Sequence, residues 1–293
     1  MSLRLKDVSR DAPILIAGPT ASGKSALAME LAARDGRIIV NADALQVYDC
    51  WRVLSARPGV ADEAAFAHAL YGNVGRDQPY SVGHWLREVQ AYLNRPVVIV
   101  GGTGLYFKAL TMGLAAIPAT PATVRVEADV RMAAEGFGAL LADLDARTRA
   151  RIDTANPVRV QRAWEVLRAT GRGLSEWQDS TGPADLPLAH CEALVIMPEV
   201  NWLNSRIDAR FAAMMAAGAL DEVRAALPHW QPNQPWARAI GAPELIAHLR
   251  GEMALDQAVQ AATMASRQYA KRQRTWFRSQ MKEWRQLALP QRG

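Results

Sequence analysis

The chain has 293 residues, half of them apolar, a formal charge of +5 and only two cysteines. That is enough apolar matter for a full-sized core, and it argues against a disordered polymer, a disulfide-stapled scaffold and a membrane-spanning protein. Cys50 and Cys191 stand alone, without a CxxC pair, so they read as ordinary thiols in a reducing compartment.

The N-terminal MSLRLKDVSR is basic, but the apolar stretch after it is too short for a signal peptide, so a cytoplasmic protein is expected. PILIAG (13–18) predicts a short buried parallel strand, and ALAMELAAR (26–34) predicts a helix. Between them lies GPTASGKS (18–25), with Gly18 four residues ahead of Gly23-Lys24-Ser25. This is the spacing of a phosphate-binding P-loop. Backbone N–H groups at a helix start face the ligand, Lys24 adds a cation, and the Ser25 hydroxyl can ligate Mg2+. A chance match in a glycine turn is the bland alternative, and the strand before and helix after weigh against it. The loop reads phosphates without reading what they are attached to.

RIIVNAD (37–43), PVVIVGG (96–102) and EALVIMP (192–198) predict three further buried strands. Helical stretches separate them, which is the order of a parallel α/β sheet. Such sheets bind ligands beyond the carboxyl ends of their strands, a rule that groups the P-loop with Asp43 and with Gly101-Gly102-Thr103. Between 115 and 190 no strand-like run appears; ARTRARID (146–153) and RVQRAWEVLRATGR (159–172) predict helices, bounded by IPATPAT (117–123) and TGPADLP (181–187). The expected organisation is a P-loop NTPase-like α/β core, 1–114 and 191–293, with helices on both faces of its sheet and an all-helical domain, 115–190, inserted.

Nothing in the sequence breaks a helix from 254 to about 287. At about 100° per residue, Arg267, Lys271, Arg274, Arg278, Lys282 and Arg285 fall on one face, opposite Ala262, Ala265, Tyr269, Trp276, Phe277 and Trp284. Residues 266–293 hold eight Lys and Arg against one acid, which leaves a net charge of −2 for the remainder. A stripe of one sign attracts a polyanion, nucleic acid above all; the alternatives are a solvated face or local phosphate neutralisation.

A P-loop ATPase usually places an acid at the end of a second apolar strand. Here that strand runs into glycines, and the carboxylate sits at Asp43, which is either a general base or a loop cap. Thr103 by itself reads as another cap. These residues favour a transferase acting on a phosphorylated donor, without saying whether phosphoryl or carbon moves.

GPTASGKSALAMELA, NADALQVY, VIVGGTGLY, RVQRAWEVLRATG, RIDARFAAMMAAGALDEV and SRQYAKRQRTWFR resemble, in order, the successive motifs of the tRNA dimethylallyltransferases, and they run from residue 14 to 278. The resemblance implies that the P-loop binds the pyrophosphate of dimethylallyl diphosphate with Mg2+. It also implies that the prenyl group passes to N6 of the adenosine just 3′ of the anticodon, in tRNAs reading UNN codons. By the same resemblance Asp43 is the candidate base, and Thr103 contacts the flipped adenine. Gly18, Pro19, Thr20, Ala21, Ser22, Gly23, Lys24, Ser25 and Arg210 would hold diphosphate, with Ser25 on the metal. Asp43, Ala44, Leu45, Gln46, Arg125, Val158, Arg159, Val160, Gln161, Arg162, Ala239, Ile240, Gly241, Ala242, Pro243 and Glu244 would contact tRNA. Arg267, Lys271, Arg274 and Arg278 would add phosphate contacts, and the inserted domain would grip the anticodon stem-loop of a tRNA bound to a monomer. The chain departs from the family pattern at Ala44, in RVLSARP (52–58), in HALYG (68–72) and at Gly241-Ala242, which bears on the detail of tRNA contact and on turnover. A small-molecule or nucleoside kinase and a non-catalytic RNA-binding P-loop module are the competing expectations, and fold analogy alone does not exclude them.

Overall fold

The computed structural model describes residues 7–287. The chain divides into two compact units, Met1–Thr111 with Leu186–Gly293, and Met112–Asp185. The first contains β1 (Ile14–Ala17), α1 (Lys24–Asp35), β2 (Ile38–Asn41), α2 (Val60–Ala65), β3 (His68–Ala69), α3 (Val82–Val89), β4 (Val97–Gly101) and α4 (Gly104–Met112), the last crossing its boundary by one residue. The second holds α5 (Ala122–Glu135), α6 (Phe137–Asp143), α7 (Ala146–Arg151), α8 (Pro157–Thr170) and α9 (Leu174–Asp179). The chain returns to the first unit with β5 (Glu192–Ile196), α10 (Val200–Ala216), α11 (Ala219–Ala226), α12 (Ala242–Leu249), α13 (Leu255–Gln280) and β6 (Arg285–Leu287).

The six strands form one sheet in the order β3-β2-β4-β1-β5-β6, and every neighbouring pair is parallel. Alternate residues point to opposite faces, so each strand must satisfy two cores. Leu15, Ala17, Val40, Ile99 and Val195 pack with Trp85, Phe107, Leu110 and Phe277. Ile14, Ile16, Ile39, Val100 and Leu194 pack with Leu27, Ala28 and Leu31 of α1 on the other face. The helical unit has its own core, built on Ala128, Leu140, Leu144, Val160, Ala163 and Trp164.

Three features differ from the sequence reading. The helical unit ends at Asp185, not at 190, because Leu186 belongs to the α/β core: its N–H bonds to the Leu110 carbonyl (3.0 Å) and its side chain is buried there. The C-terminal helix stops at Gln280 instead of running to about 287. Met281 leaves helical geometry (φ −119°, ψ 44°), and residues 285–287 become an edge strand beside β5. Apolar spacing cannot reveal this break, since Phe277, Met281 and Trp284 keep a helical repeat across it and all three are buried. Lys282 and Arg285 therefore leave the basic helix, and Arg285 instead donates to Glu192 (2.9 Å) and to the Asp7 carbonyl (3.1 Å). The third difference is β3, whose two residues are too few to show a period. Arg292 and the basic residues 1–6 lie outside the described residues.

A second apolar cluster of the α/β unit packs α10, α11, α12 and α13 against residues 47–54. Glu222 of α11 fixes this segment, accepting hydrogen bonds from the N–H groups of Arg52 (2.5 Å), Val53 (3.0 Å) and Leu54 (2.8 Å). Hydrogen bonds to a charged acceptor each contribute about 1.5–3 kcal/mol, part of it lost here to solvent. Glu222→Ala is expected to destabilise the protein by about 2–3 kcal/mol and lower its Tm by roughly 5–10 °C, to be read by calorimetry.

Candidate active site

β1, β2 and β4 end side by side, and the loops leaving them bring the sequence-derived candidates together. Asn41 closes β2. Its Oδ1 accepts from the Asp43 N–H (2.8 Å), and its Nδ2 donates to the carbonyls of Asp43 (3.0 Å) and Leu70 (2.9 Å). The indole of Trp85 donates to the Asn41 carbonyl (2.7 Å) and stacks on Tyr106, which fixes this turn from beneath. Asp43 then accepts the Leu45 N–H at Oδ1 (3.0 Å), so a turn built from three polar side-chain contacts aims its carboxylate. Thr103, leaving β4, donates its N–H to the Ala42 carbonyl (3.1 Å) and accepts the Ala44 N–H at Oγ1 (2.9 Å). Asp43 and Thr103 thus share one rim.

The P-loop forms the adjoining wall. Ala21 takes a left-handed conformation (φ 61°), and Gly23 (φ 88°) starts α1. Two of the loop's N–H groups are already engaged within the protein: Ser22 donates to the Pro19 carbonyl (3.2 Å) and Thr20 donates to the side chain of Gln273 (2.9 Å). A phosphate is left the first-turn N–H groups of α1, which have no intrahelical acceptor. Ser22 Oγ is fully buried without a hydrogen-bond partner, and the Ser25 side chain is exposed at the helix start.

A pocket partly open to solvent joins these loops; Thr20, Lys24, Asp43, Gln46, Arg210 and Tyr269 line its polar part. Leu54, Ile207, Phe211, Met214 and Ile240 supply an apolar wall. Lys24 is buried and donates to the Pro19 carbonyl (3.3 Å). Burial pushes its ammonium down to about 8, with Asp43 opposing the fall and Arg210 adding to it. Burial also lowers Arg210, again against the pull of Asp43. The phenols of Tyr71, Tyr106 and Tyr269 are held neutral, each by burial first and by the Asp43 charge second.

Other candidates fall into distinct places. Ala239 and Ile240 line the pocket, while Ala242 is fully buried and can offer only its backbone. Gly241 caps α12 with φ 93°, Pro243 is exposed, and Glu244 has one buried oxygen without a partner. In the helical unit, Arg125, Val158 and Arg159 are exposed. Gln161 donates to Asp129 (2.7 Å) and Arg162 to Thr120 (2.6 Å). Val160, named with them as a tRNA-contacting position, is buried in that unit's core. On α13, Lys271 and Arg278 are exposed, Arg267 is paired with Asp208, and Arg274 has its Nε buried. Tyr269 lines the pocket and Gln273 bonds to the loops on either side of it, and the sequence reading named neither as a site residue. Their available signal was a glutamine at the centre of an otherwise apolar helical arc.

The sequence matches the family model for IPP transferase over residues 46–280 and that for isopentenyl transferase over residues 13–67. It is 66% identical over 290 residues to a tRNA dimethylallyltransferase of Cereibacter sphaeroides, covering 98% of this chain and 92% of the relative. A tRNA isopentenylpyrophosphate transferase of Bacillus halodurans, known from a crystal structure, superposes with a TM-score of 0.67 at 25% identity, over 95% of this chain and 90% of that one. The fold is also that of a eukaryotic dimethylallyltransferase acting on tRNA, with a TM-score of 0.74 at 22% identity, over 91% and 70% of the two chains.

The low Lys24 value has a consequence for anion binding. A bound diphosphate favours the ammonium, so above pH about 8, the value in the free protein, binding must first add a proton to Lys24. Affinity for methyl diphosphate, whose terminal phosphate gives up its last proton near pH 6, is expected to be flat between about pH 7 and pH 8. It should fall by up to about tenfold per pH unit above it, with proton uptake seen by calorimetry in two buffers. Lys24→Met should abolish the uptake.

Proposed function

The chain belongs to the tRNA dimethylallyltransferase family, and from that premise we propose that it carries the dimethylallyl group of dimethylallyl diphosphate to the N6 amine of the adenosine 3′-adjacent to the anticodon, in tRNAs reading UNN codons, releasing diphosphate. The observation that carries this reading is the pocket in which Lys24 and Arg210 lie across from Asp43, with an apolar wall beside them. Two cations suit a diphosphate, the carboxylate suits a proton acceptor, and Ile207, Phe211 and Met214 suit a branched five-carbon chain.

Lys24, Arg210 and the first-turn N–H groups of α1 hold the diphosphate and stabilise the negative charge that grows on it as the allylic C–O bond breaks. The adenine amine is a poor nucleophile while its lone pair is delocalised into the ring, and it lies inside a stacked loop. The base must therefore be flipped into the pocket. Thr103, whose Oγ1 accepts the Ala44 N–H, holds its hydroxyl against the Tyr269 phenol and would turn its O–H to the incoming base. As N6 bonds to the prenyl carbon, Asp43 takes the proton that the amine must lose.

Among the described residues no three His, Cys, Asp or Glu side chains converge to form a metal cage. That donor set fits Mg2+, which is commonly held by substrate phosphates, waters and one or two protein oxygens. Ser25, exposed at the start of α1, would contribute its hydroxyl, and Mg2+ would supply charge neutralisation at the diphosphate. Arg125, Val158, Arg159, Gln161 and Arg162 of the helical unit would contact the anticodon stem-loop, with Lys271 and Arg278 taking phosphates. A cytoplasmic monomer is the working form under this reading.

Nucleoside mass spectrometry of an unmodified UNN-reading tRNA, incubated with the protein, dimethylallyl diphosphate and Mg2+, is expected to reveal one prenylated adenosine beside the anticodon. Asp43→Ala should lower its rate of formation at least about 100-fold. ATP consumption with a small acceptor, and no prenylation, would replace this reading with a kinase. For tRNA binding, the slope of log K against log salt should fall by about 1.5 in the Lys271→Ala, Arg278→Ala double variant, since each lost phosphate contact removes about 0.7–0.9.

A further inference from the structure

Gln273 lies in the middle of α13, 6% exposed, on the face where its neighbours in the helical repeat are apolar. A buried amide in such a place must find both a donor and an acceptor. It finds them on two different loops. Its Oε1 accepts from the N–H of Thr20 in the P-loop (2.9 Å), and its Nε2 donates to the carbonyl of Gly102 in the loop after β4 (2.9 Å). The fit is close: a Cβ on Gly102 would stand 2.2 Å from the Gln273 nitrogen and 3.0 Å from Asp43 Oδ2, so the amide wedges in beside the carboxylate. Tyr269, one turn earlier on α13, places its phenol beside Asp43, Thr103 and Gln273. A helix residue 253 positions from one loop and 171 from the other thus connects the wall that binds the donor to the rim that binds the acceptor.

We propose that Gln273 is a positioning residue for prenyl transfer: its single side-chain amide sets the separation between the diphosphate held by the P-loop and the base held by Asp43 and Thr103. The inference rests on the reaction proposed above and deepens it. The bridge needs one end that accepts and one that donates, which an amide offers at every pH. Gln273 itself takes no part in binding the diphosphate, which falls to Lys24, Arg210 and the start of α1. Its loss should therefore disturb the approach of the two reactants more than the affinity for either. A displacement of about 1 Å between reacting groups costs on the order of 100-fold in rate.

The test uses the full chain, single-turnover prenylation of tRNA, and two variants. Gln273→Leu is expected to lower the rate at saturating dimethylallyl diphosphate by about 30–100-fold, while the KM for that substrate stays within about threefold. Gln273→Glu keeps the acceptor for Thr20 but sets a carboxylate against the Gly102 carbonyl; once protonated, its O–H can donate there and restore the bridge. Burial raises a carboxyl pKa. The rate of Gln273→Glu relative to wild type at the same pH should therefore rise at least about fivefold between pH 8 and pH 5.5. Thermal melts accompany both variants, and if Gln273→Leu does not fold, the pH response of Gln273→Glu decides alone. An unchanged rate in both variants, a KM that rises while the rate holds, or a Gln273→Glu deficit indifferent to pH would each overturn the proposal. A wild-type protein that forms no prenylated adenosine overturns the reaction itself, and the proposal with it, whatever the variants do.

Discussion

The site depends on the absence of a side chain at Gly101. A Cβ there would lie 2.0 Å from the Ala42 carbonyl oxygen, so only glycine lets the end of β4 close onto the end of β2. That approach brings the Thr103 N–H within 3.1 Å of the same carbonyl and the Thr103 hydroxyl within 2.9 Å of the Ala44 N–H. Two loops leaving neighbouring strands are thereby laced together, and Asp43 is caught between the laces. The work of the glycines at the end of β4 is steric. They make room for backbone at one residue and for the Gln273 amide at the next.

Charge organises what the backbone has placed. Lys24, Arg210 and Asp43 line one pocket, yet none of them forms an ion pair within 4 Å of another. Each cation is partly stripped of water, and burial is the largest influence on both. Had lysine and aspartate closed into a direct pair, the pocket would have neutralised itself and an anion would have to break that pair to enter. Held apart, the cations remain available to a diphosphate and the carboxylate to a proton. A preorganised pair of opposite charges is more useful to a transition state than to the folded chain, because its interactions strengthen only as charge develops on the substrate.

Much of this was legible in the sequence, for reasons that particular residues make clear. Buried parallel strands are continuous apolar runs, so β1, β2, β4 and β5 could be read directly, and the P-loop spacing fixed the turn between β1 and α1. Asp43 and Thr103 followed from the rule that ligands gather at the carboxyl edge. β3 and β6 escaped because two or three residues carry no period. The end of α13 escaped because Met281 and Trp284 stay in step with the helix they have left. Gln273 escaped for a different reason: its role lies in joining residues 20 and 102, and nothing local to α13 says which loops will arrive there. Periodicity reports the face a residue occupies and is silent about the partner.

The positions where the chain departs from the family pattern bear on shape more than on chemistry. Gly72 occupies a site where the family usually has an aspartate, and a Cβ built there would lie 1.9 Å from the guanidinium of Arg57, itself a replacement for lysine. The larger cation fills the space that the missing side chain gives up, and it donates to the Tyr48 carbonyl (3.3 Å). The two substitutions therefore read as one exchange of volume. Ala44 replaces a serine, but the contact made at that position is a backbone N–H to Thr103, which any residue but proline preserves. Ala242 is buried to the last square ångström, so its loss of a tyrosine alters packing under α12. None of the three replaces Lys24, Arg210, Asp43 or Thr103. Two of them adjoin the site, Ala44 through its N–H on Thr103 and Ala242 through a core it shares with Leu54 and Phe211 of the apolar wall, so these departures act on the shape of the pocket while its charged groups stay the same.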